Sequence, residues 1–257
     1  MPTKGSVLIT GCSDGGAGSA LAMEFQARGY LVFASSRGLT TMSKLRDVPN
    51  VQLVQLDVTK KADIESALET IQTATGGTLT FLVNCAALNH YMPLLDESID
   101  AAKSLFETNV WGVLAVTQAF TPLLMKAKGT AVFISSVSGY LNVPYQGAFA
   151  ASKRSMEIMA ETLRLELAPF HLPQDSLYSE IESTIQMRAS GQEGAPRMEP
   201  SDYARRVAAE IIKGRSGKFW YGASASIVKF ASSYLPTSLM DSGVQVKTGL
   251  DKLNQQH

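Results

Sequence analysis

The chain has 257 residues, 45% of them hydrophobic, which is enough to bury a full core. Its 23 basic and 23 acidic side chains balance, which excludes a global field that would draw it to nucleic acid or an anionic membrane. Two cysteines, Cys12 and Cys85, are too few for a disulfide framework. We interpret residues 1–257 as a single domain with a small-molecule partner.

The N-terminus leads directly into an apolar strand without the hydrophobic region of a signal peptide, so we expect a cytoplasmic protein. The longest apolar stretch, 219–240, is interrupted by Lys229 and Pro236, and a spanning helix is not expected. Two explanations of 219–240 stay open. It packs on its own domain, which we favour, or it lies peripherally on a lipid surface such as the endoplasmic reticulum or a lipid droplet.

Short β-rich apolar runs alternate with segments of helical spacing along the first two-thirds of the chain. Continuous apolar strands are typical of a parallel sheet covered on both faces, which predicts a doubly wound, Rossmann-like α/β fold with right-handed crossovers. The predicted strands are 7–10, 31–34, 51–56, 79–84 and 131–135, and the predicted helices are 18–29, 62–74, 101–126 and 150–168.

After Pro169 this alternation fails. Residues 171–200 contain no apolar run long enough for a buried strand, and their later part is rich in Pro, Gly, Ser and Glu. A helix at 202–213 and a strand at 219–222 are predicted to restore the pattern before a C-terminal tail, 224–257.

A glycine-rich turn, 10–18, follows the first strand and opens the first helix. Glycines there allow a sharp bend and close approach to a pyrophosphate, and the helix N-terminus supplies free N–H groups. The alternative is a plain tight turn. The candidate dinucleotide-binding residues are Gly11, Ser13, Gly16, Ala17 and Gly18.

The end of the second strand discriminates between dinucleotides. An acidic residue there binds a ribose 2′-hydroxyl, whereas an arginine favours a 2′-phosphate. Ser35, Ser36 and Arg37 occupy this place, which favours NADP over NAD. The alternative is a solvated surface arginine.

Further motifs fall at consistent places along the alternating pattern. They are Leu56-Asp57-Val58-Thr59, Asn84-Cys85-Ala86-Ala87, Asn109-Val110-Trp111-Gly112, Ile134-Ser135-Ser136-Val137-Ser138-Gly139 and Phe149-Ala150-Ala151-Ser152-Lys153. With the glycine-rich turn, they resemble the short-chain dehydrogenase/reductase family over residues 6–170. The stretches 144–153, 163–167 and 247–251 are most similar to fungal members resembling 1-acyldihydroxyacetone-phosphate reductase.

The resemblance implies an NADP-dependent oxidoreductase acting on a ketone or aldehyde in lipid or secondary metabolism. It implies that Asp57 and Asn84 bind the cofactor, that Ser136 hydrogen-bonds the substrate oxygen, and that Asn109 supports a water chain to Lys153. In the family, the lysine holds the nicotinamide ribose and lowers the pKa of a tyrosine one helical turn earlier.

Phe149 stands at that tyrosine position, thirteen residues after Ser136, which is the family's usual spacing. Phenylalanine keeps the ring but lacks the acid, and loss of a positioned general acid typically costs about 10²- to 10⁴-fold in rate. No tyrosine in the chain stands four residues before a lysine. Tyr145 is the candidate replacement donor, in a rearranged site.

A second departure follows Phe170, where the family has a sixth strand and a Pro-Gly loop that cradles the nicotinamide. By this resemblance about twenty residues are absent here, so we expect a shortened, irregular lid at 171–200 and an empty sheet position, unless 219–222 fills it. A mistaken exon join is the alternative explanation of the missing residues, although it does not explain Phe149.

Two functions therefore stay open: an NADP-dependent reductase of a small-molecule carbonyl with an atypical proton donor, or a non-redox pseudoenzyme, binding protein, isomerase or cyclase that reuses the pocket. The helices at 101–126 and 150–168 resemble the family's dimer surface, which leaves a homodimer as an open expectation. His90 and His171 are isolated from other metal-ligating residues, so no metal is assigned.

Overall fold

The computed structural model describes residues 3–139 and 144–167, together with the short segments 183–184, 187, 225–236, 238–239 and 242. The chain divides into two compact units, one of residues 1–164 and 171–173 and the other of residues 165–170 and 174–257. The predicted lid at 171–200, helix at 202–213 and strand at 219–222 lie almost wholly or wholly outside the described residues. They remain predictions, as does the single domain.

The first unit is built on five strands, all paired in parallel. They are β1 (Ser6–Thr10), β2 (Leu31–Ser36), β3 (Val51–Gln55), β4 (Phe81–Asn84) and β5 (Thr130–Phe133), in the spatial order β3-β2-β1-β4-β5. The order reverses between β1 and β4, and ligands of such sheets bind beyond the strand ends at this switch point. The predicted doubly wound sheet is confirmed.

Helices connect the strands near the predicted positions. They are α1 (Ala17–Ala27), α2 (Lys61–Thr75), α3 (Ile99–Phe106), α4 (Val113–Ala127) and α5 (Gly147–Leu167), with 3₁₀ turns at Leu39–Leu45 and Val137–Gly139. A π-helical turn, Glu107–Gly112, joins α3 to α4, so the helix predicted at 101–126 is continuous but not regular. A π turn carries one more residue than an α turn and often marks a functional site.

The strands alternate their side chains between two hydrophobic clusters, one on each face of the sheet. Leu8 and Leu82 join Ile71 of α2 and Phe120 of α4 on one face. Their neighbours in the same strands point the other way, toward Ala22 of α1. Because both faces are covered, β1 is buried along its full length.

Among the described residues, one helix, Ile99–Ala127, is long and apolar enough to cross a membrane, although 44% of its most apolar window is buried inside the protein. Its second half supplies Val116, Phe120 and Leu124 to the core. Burial on the sheet accounts for its apolar composition.

The described part of 219–240 includes a helix, Ala225–Tyr234, in the second unit. Ile227, Phe230 and Tyr234 are exposed, whereas Ala231 is buried. The helix therefore has apolar residues both buried and exposed. Packing on its own domain and peripheral contact with a lipid surface both stay open as explanations of 219–240.

β5 lies at the end of the strand order and is less buried than β1: Thr130 is exposed and the other three residues are half-buried. In the part of the chain that the structure describes, it pairs with β4 alone. This edge is where the sequence predicts the loss of a sixth strand.

Leu82→Ala should lower the free energy of unfolding by about 2–5 kcal/mol, because the Leu82 side chain is fully buried beneath α2 and α4 and its loss leaves a cavity. Urea unfolding followed by circular dichroism measures the change. Leu95→Ala is the matched control, since Leu95 is fully exposed. Equal losses in the two variants would contradict the assignment of the core.

Candidate active site and dinucleotide loop

The loop between β1 and α1 packs backbone against backbone. A Cβ on Gly11 would lie 2.7 Å from the Cα of Ala86, and one on Gly18 would lie 2.4 Å from the carbonyl oxygen of Gly11. Thr10 Oγ1 accepts hydrogen bonds from the N–H groups of Cys85 and Ala86, each at 3.0 Å. The loop is thereby fixed against the end of β4, at the switch point of the sheet.

The N-terminus of α1 opens from this loop with its first N–H groups uncapped by any side chain. Gly16 is the N-cap and makes no side-chain cap hydrogen bond, Ala17 is the first helical residue, and the first turn carries no acidic residue. Such a terminus offers N–H donors and the positive end of the helix dipole to an anion. The predicted residues Gly11, Gly16, Ala17 and Gly18 therefore lie together in one tightly packed turn that ends at the start of α1.

Asp14 ties the glycine loop to the 3₁₀ turn that follows β2. Its carboxylate accepts hydrogen bonds from Ser43 N at 2.8 Å, Ser43 Oγ at 2.7 Å and Lys44 N at 3.1 Å, and its own N–H donates to the Thr41 carbonyl at 2.7 Å. The Ser43 hydroxyl is the main cause of a lowered pKa at Asp14. Sequence reasoning missed this residue, because its partners lie 29 and 30 residues further along the chain.

A chain of hydroxyl groups runs beside this link. Ser13 Oγ and Thr41 Oγ1 share a hydrogen bond of 3.2 Å, and Thr41 Oγ1 and Ser36 Oγ share one of 2.7 Å. The exposed Arg37 follows Ser36 directly. Hydrogen bonds thus link Ser13 through Thr41 to Ser36, the residue that precedes Arg37.

Asp57 lies after β3 in the electrostatic reach of Arg37. Burial acts to raise the pKa of Asp57, but hydrogen bonds from Thr59 and the charges of Lys60 and Arg37 outweigh it, so the pKa is lowered. The Asp57 carboxylate accepts from the Thr59 hydroxyl at 2.8 Å. The predicted cofactor residues Arg37 and Asp57 therefore share one edge of the sheet.

Asn84, by contrast, turns its amide into the protein. Its Nδ2 donates to Thr117 Oγ1 on α4 at 3.1 Å, and the side chain is buried. The Asn84 carbonyl accepts from Ile134 N at 3.0 Å. In this structure Asn84 holds β4 to α4 and to the end of β5, rather than presenting its side chain to the crevice.

Lys153 and Phe149 are both buried on the inner face of α5, one turn apart. Lys153 Nζ donates to the Ile134 carbonyl at 2.9 Å and lies 5.9 Å from the centre of the Phe149 ring. Burial lowers the pKa of Lys153, and Cys85 opposes this. Burial in turn raises the pKa of the Cys85 thiol, which the lysine charge counters. Cys85 is a neighbour of the lysine that the sequence pattern did not identify.

Ser136 lies just beyond β5. Its Oγ shares a hydrogen bond of 2.6 Å with Ser138 Oγ and accepts one from Ser138 N at 3.2 Å. Lys153 Nζ contacts the carbonyl of Ile134, which comes two residues before Ser136. Lys153, on α5, therefore contacts the segment after β5 that carries Ser136.

Asn109, in the π turn, bridges two parts of the site. Its Oδ1 accepts from Leu88 N at 2.8 Å, and its Nδ2 donates to the Leu88 carbonyl at 2.9 Å and to Ser152 Oγ at 3.0 Å. Ser152 in turn donates to the Phe149 carbonyl at 2.7 Å. The Asn109 side chain therefore joins the loop after β4 to α5. Because that side chain is engaged, only the backbone groups of Asn109 could support the expected water chain to Lys153, which stays a prediction.

Tyr145 lies before α5 with φ at 69°, a backbone conformation that is uncommon for a bulky residue. Its carbonyl accepts from Met92 N at 2.8 Å, and 62% of its surface is exposed. This bond joins the loop after β4 to the segment before α5. Whether Tyr145 donates a proton stays a prediction.

Comparison with known proteins identifies the family of the chain. A family model described as short chain dehydrogenase matches residues 5–173. The short-chain dehydrogenase ptmH of Penicillium ochrochloron is 40% identical, over 92% of this chain and 95% of that protein. The predicted loss of residues after Phe170 stays a prediction.

Two further proteins carry cofactor information in their names. The NADPH-dependent 1-acyldihydroxyacetone phosphate reductase of Schizosaccharomyces pombe is 33% identical, over 74% of this chain and 64% of its own. A gluconate 5-dehydrogenase of Burkholderia cenocepacia, solved with NADP and tartrate, is 25% identical with a TM-score of 0.59 and covers 65% of this chain and 67% of its own. The predicted family resemblance is confirmed.

Gly18→Ala should destabilise the protein by about 1–3 kcal/mol, because the new Cβ meets the rigid carbonyl of Gly11 and this overpacking outweighs the helix propensity of alanine. Thermal unfolding measures the change. Gly38→Ala is the matched control, since Gly38 has φ at −142° and its nearest atoms lie 3.9 Å away. Comparable losses in both variants would contradict the close approach.

Lys153→Met should change how stability depends on pH. The lowered pKa means that the unfolded chain binds this proton more readily, so wild-type stability should gain on the variant as pH rises from the folded-state pKa toward that of free lysine. Denaturant unfolding from pH 7 upward measures the difference. Lys126→Met, at an exposed lysine of α4, controls for the lost charge. Parallel curves for wild type and Lys153→Met would contradict a cost of burial.

Proposed function

The chain belongs to the short-chain dehydrogenase family, and on that premise we propose that it is an NADPH-binding oxidoreductase that reduces a ketone or aldehyde of lipid or secondary metabolism. The observation that carries the proposal is the continuity of the site. The glycine loop abuts Ala86, the adjoining Asn84 bonds to Ile134, and Lys153 contacts the same Ile134. The candidate cofactor cradle and the buried Lys153 therefore lie at the same edge of the sheet, where the parallel strands end.

The residues of the loop fit a dinucleotide. Gly11 and Gly18 let the loop pack tightly backbone against backbone, and the uncapped N-terminus of α1 that follows it suits a pyrophosphate. Arg37, with Ser13 and the Ser36 hydroxyl nearby, suits a 2′-phosphate. The NADPH dependence of the Schizosaccharomyces pombe relative and the NADP bound to the Burkholderia enzyme support this choice.

The glycine loop and the N-terminus of α1 would hold NADPH, which would supply the hydride for reduction of the carbonyl carbon. The Ser136 hydroxyl binds the carbonyl oxygen and stabilises the charge that develops there. Lys153 donates the proton to that oxygen from its ammonium group and regains one from solvent. Burial makes this ammonium a stronger acid than a free lysine, while Phe149 maintains packing but has no proton to give.

Phe149→Tyr should raise kcat by about 10²- to 10⁴-fold with little change in NADPH affinity, because it restores an acid one turn from Lys153. NADPH absorbance, followed with cyclohexanone and trans-1-decalone, measures turnover. Tyr145→Phe, made in the natural chain, is the matched control. If it abolishes the basal rate, Tyr145 rather than Lys153 is the donor.

The cofactor is tested separately from turnover. NADPH at about 100 times its dissociation constant should stabilise the fold by about 2.7 kcal/mol, which a thermal shift detects. Absence of any shift would contradict the proposal. A clear shift without hydride transfer by either the natural chain or Phe149→Tyr would favour the non-redox alternative.

A further inference from the structure

A cavity of about 580 Å³ lies where the loop after β4 meets the segment before α5. Pro93, Leu94 and Pro144 are among the residues that line it, and its polar side-chain groups are those of Ser138, Tyr145 and Arg154. This volume is in the range of small-molecule sites, roughly 300–1,000 Å³. The cavity lies wholly within the first unit.

The cavity adjoins the candidate catalytic centre. Ser138 lines it and hydrogen-bonds Ser136 through their hydroxyl groups at 2.6 Å. Ala150 and Ala151, which also line it, follow Phe149 directly in α5. A carbonyl held by Ser136 would therefore have the rest of its molecule beside this space.

The positive charge at the cavity is already compensated. Arg154 Nη1 lies 3.0 Å from Glu157 Oε2, and the other carboxylate oxygen of Glu157 accepts a hydrogen bond from Ser135. The remaining surfaces are proline, leucine and alanine side chains, the glycines and the ring of Tyr145. Such walls favour an uncharged apolar body over a phosphate or carboxylate.

Two backbone features preserve this shape. Gly147 leaves space for Leu94, because a Cβ there would lie 2.5 Å from Leu94 Cδ2. Tyr145 holds its unusual φ of 69° through the bond from Met92 N to its carbonyl. Both features hold the segments that carry Leu94 and Tyr145 beside each other, and these two lining side chains are 66% and 62% exposed.

We propose that this cavity binds the body of a neutral, bulky, apolar carbonyl substrate, such as a fused-ring ketone, whose oxygen lies at Ser136. The inference rests on the proposed reductase function and specifies its substrate class. It excludes an acyl phosphate as the preferred substrate, even though the Schizosaccharomyces pombe relative is named for one.

Calorimetric titration of the full chain, with and without saturating NADPH, tests the proposal. The bicyclic trans-1-decalone should bind at least about 10-fold more tightly than cyclohexanone, since it buries additional methylene groups. It should also bind more tightly than 1-palmitoyl-dihydroxyacetone phosphate. Leu94→Asp should weaken decalone binding at least about 10-fold by placing a charge in the wall.

Leu95→Asp is the matched control, because Leu95 is adjacent and fully exposed and does not line the cavity. It should leave decalone binding unchanged. Equal effects of the two variants, no preference for decalone over cyclohexanone, or tighter binding of the phosphate would each overturn the proposal. A failure to bind NADPH would count against the reductase function, whereas decalone binding without cofactor would still report on the cavity.

Discussion

The site depends on one steric constraint: three backbone segments meet at the end of β1 with no space for a side chain between them. Gly11 lies against Ala86, and Gly18 lies against Gly11. Glycine allows this contact, which brings the helix N-terminus, the end of β4 and, through Ile134, the buried Lys153 into one region. The glycine-rich loop and the buried Lys153 therefore lie in the same region of the fold.

The environment of Lys153 makes the substitution at position 149 more than the loss of a hydroxyl. A buried ammonium needs partners, and here it has the Ile134 carbonyl, the face of the Phe149 ring and the nearby Cys85. A ring face attracts a cation whether or not the ring carries a hydroxyl. The Phe149 ring thus offers the lysine a favourable contact.

The sequence predicted the features that depend on local pattern. Apolar runs located the five strands, and glycines after β1 located the cradle, because both signals lie within a few adjacent residues. It did not predict contacts between distant segments: Asp14 with Ser43, Asn109 with Leu88, or the inward turn of Asn84 toward Thr117. Those depend on how elements pack in three dimensions, which neither spacing nor composition specifies.

The π turn at Glu107–Gly112 has a consequence for how this chain can change in length. If its residues took α-helical geometry with none removed, α4 would turn by about 100° relative to α3, because each residue advances an α-helix by that angle. Asn109 would then leave Leu88 and Ser152, or Phe120 and Leu124 would leave the sheet. The wider turn thus accommodates one additional residue between α3 and α4 while Phe120 and Leu124 stay on the sheet, and Asn109 is the side chain that this geometry places.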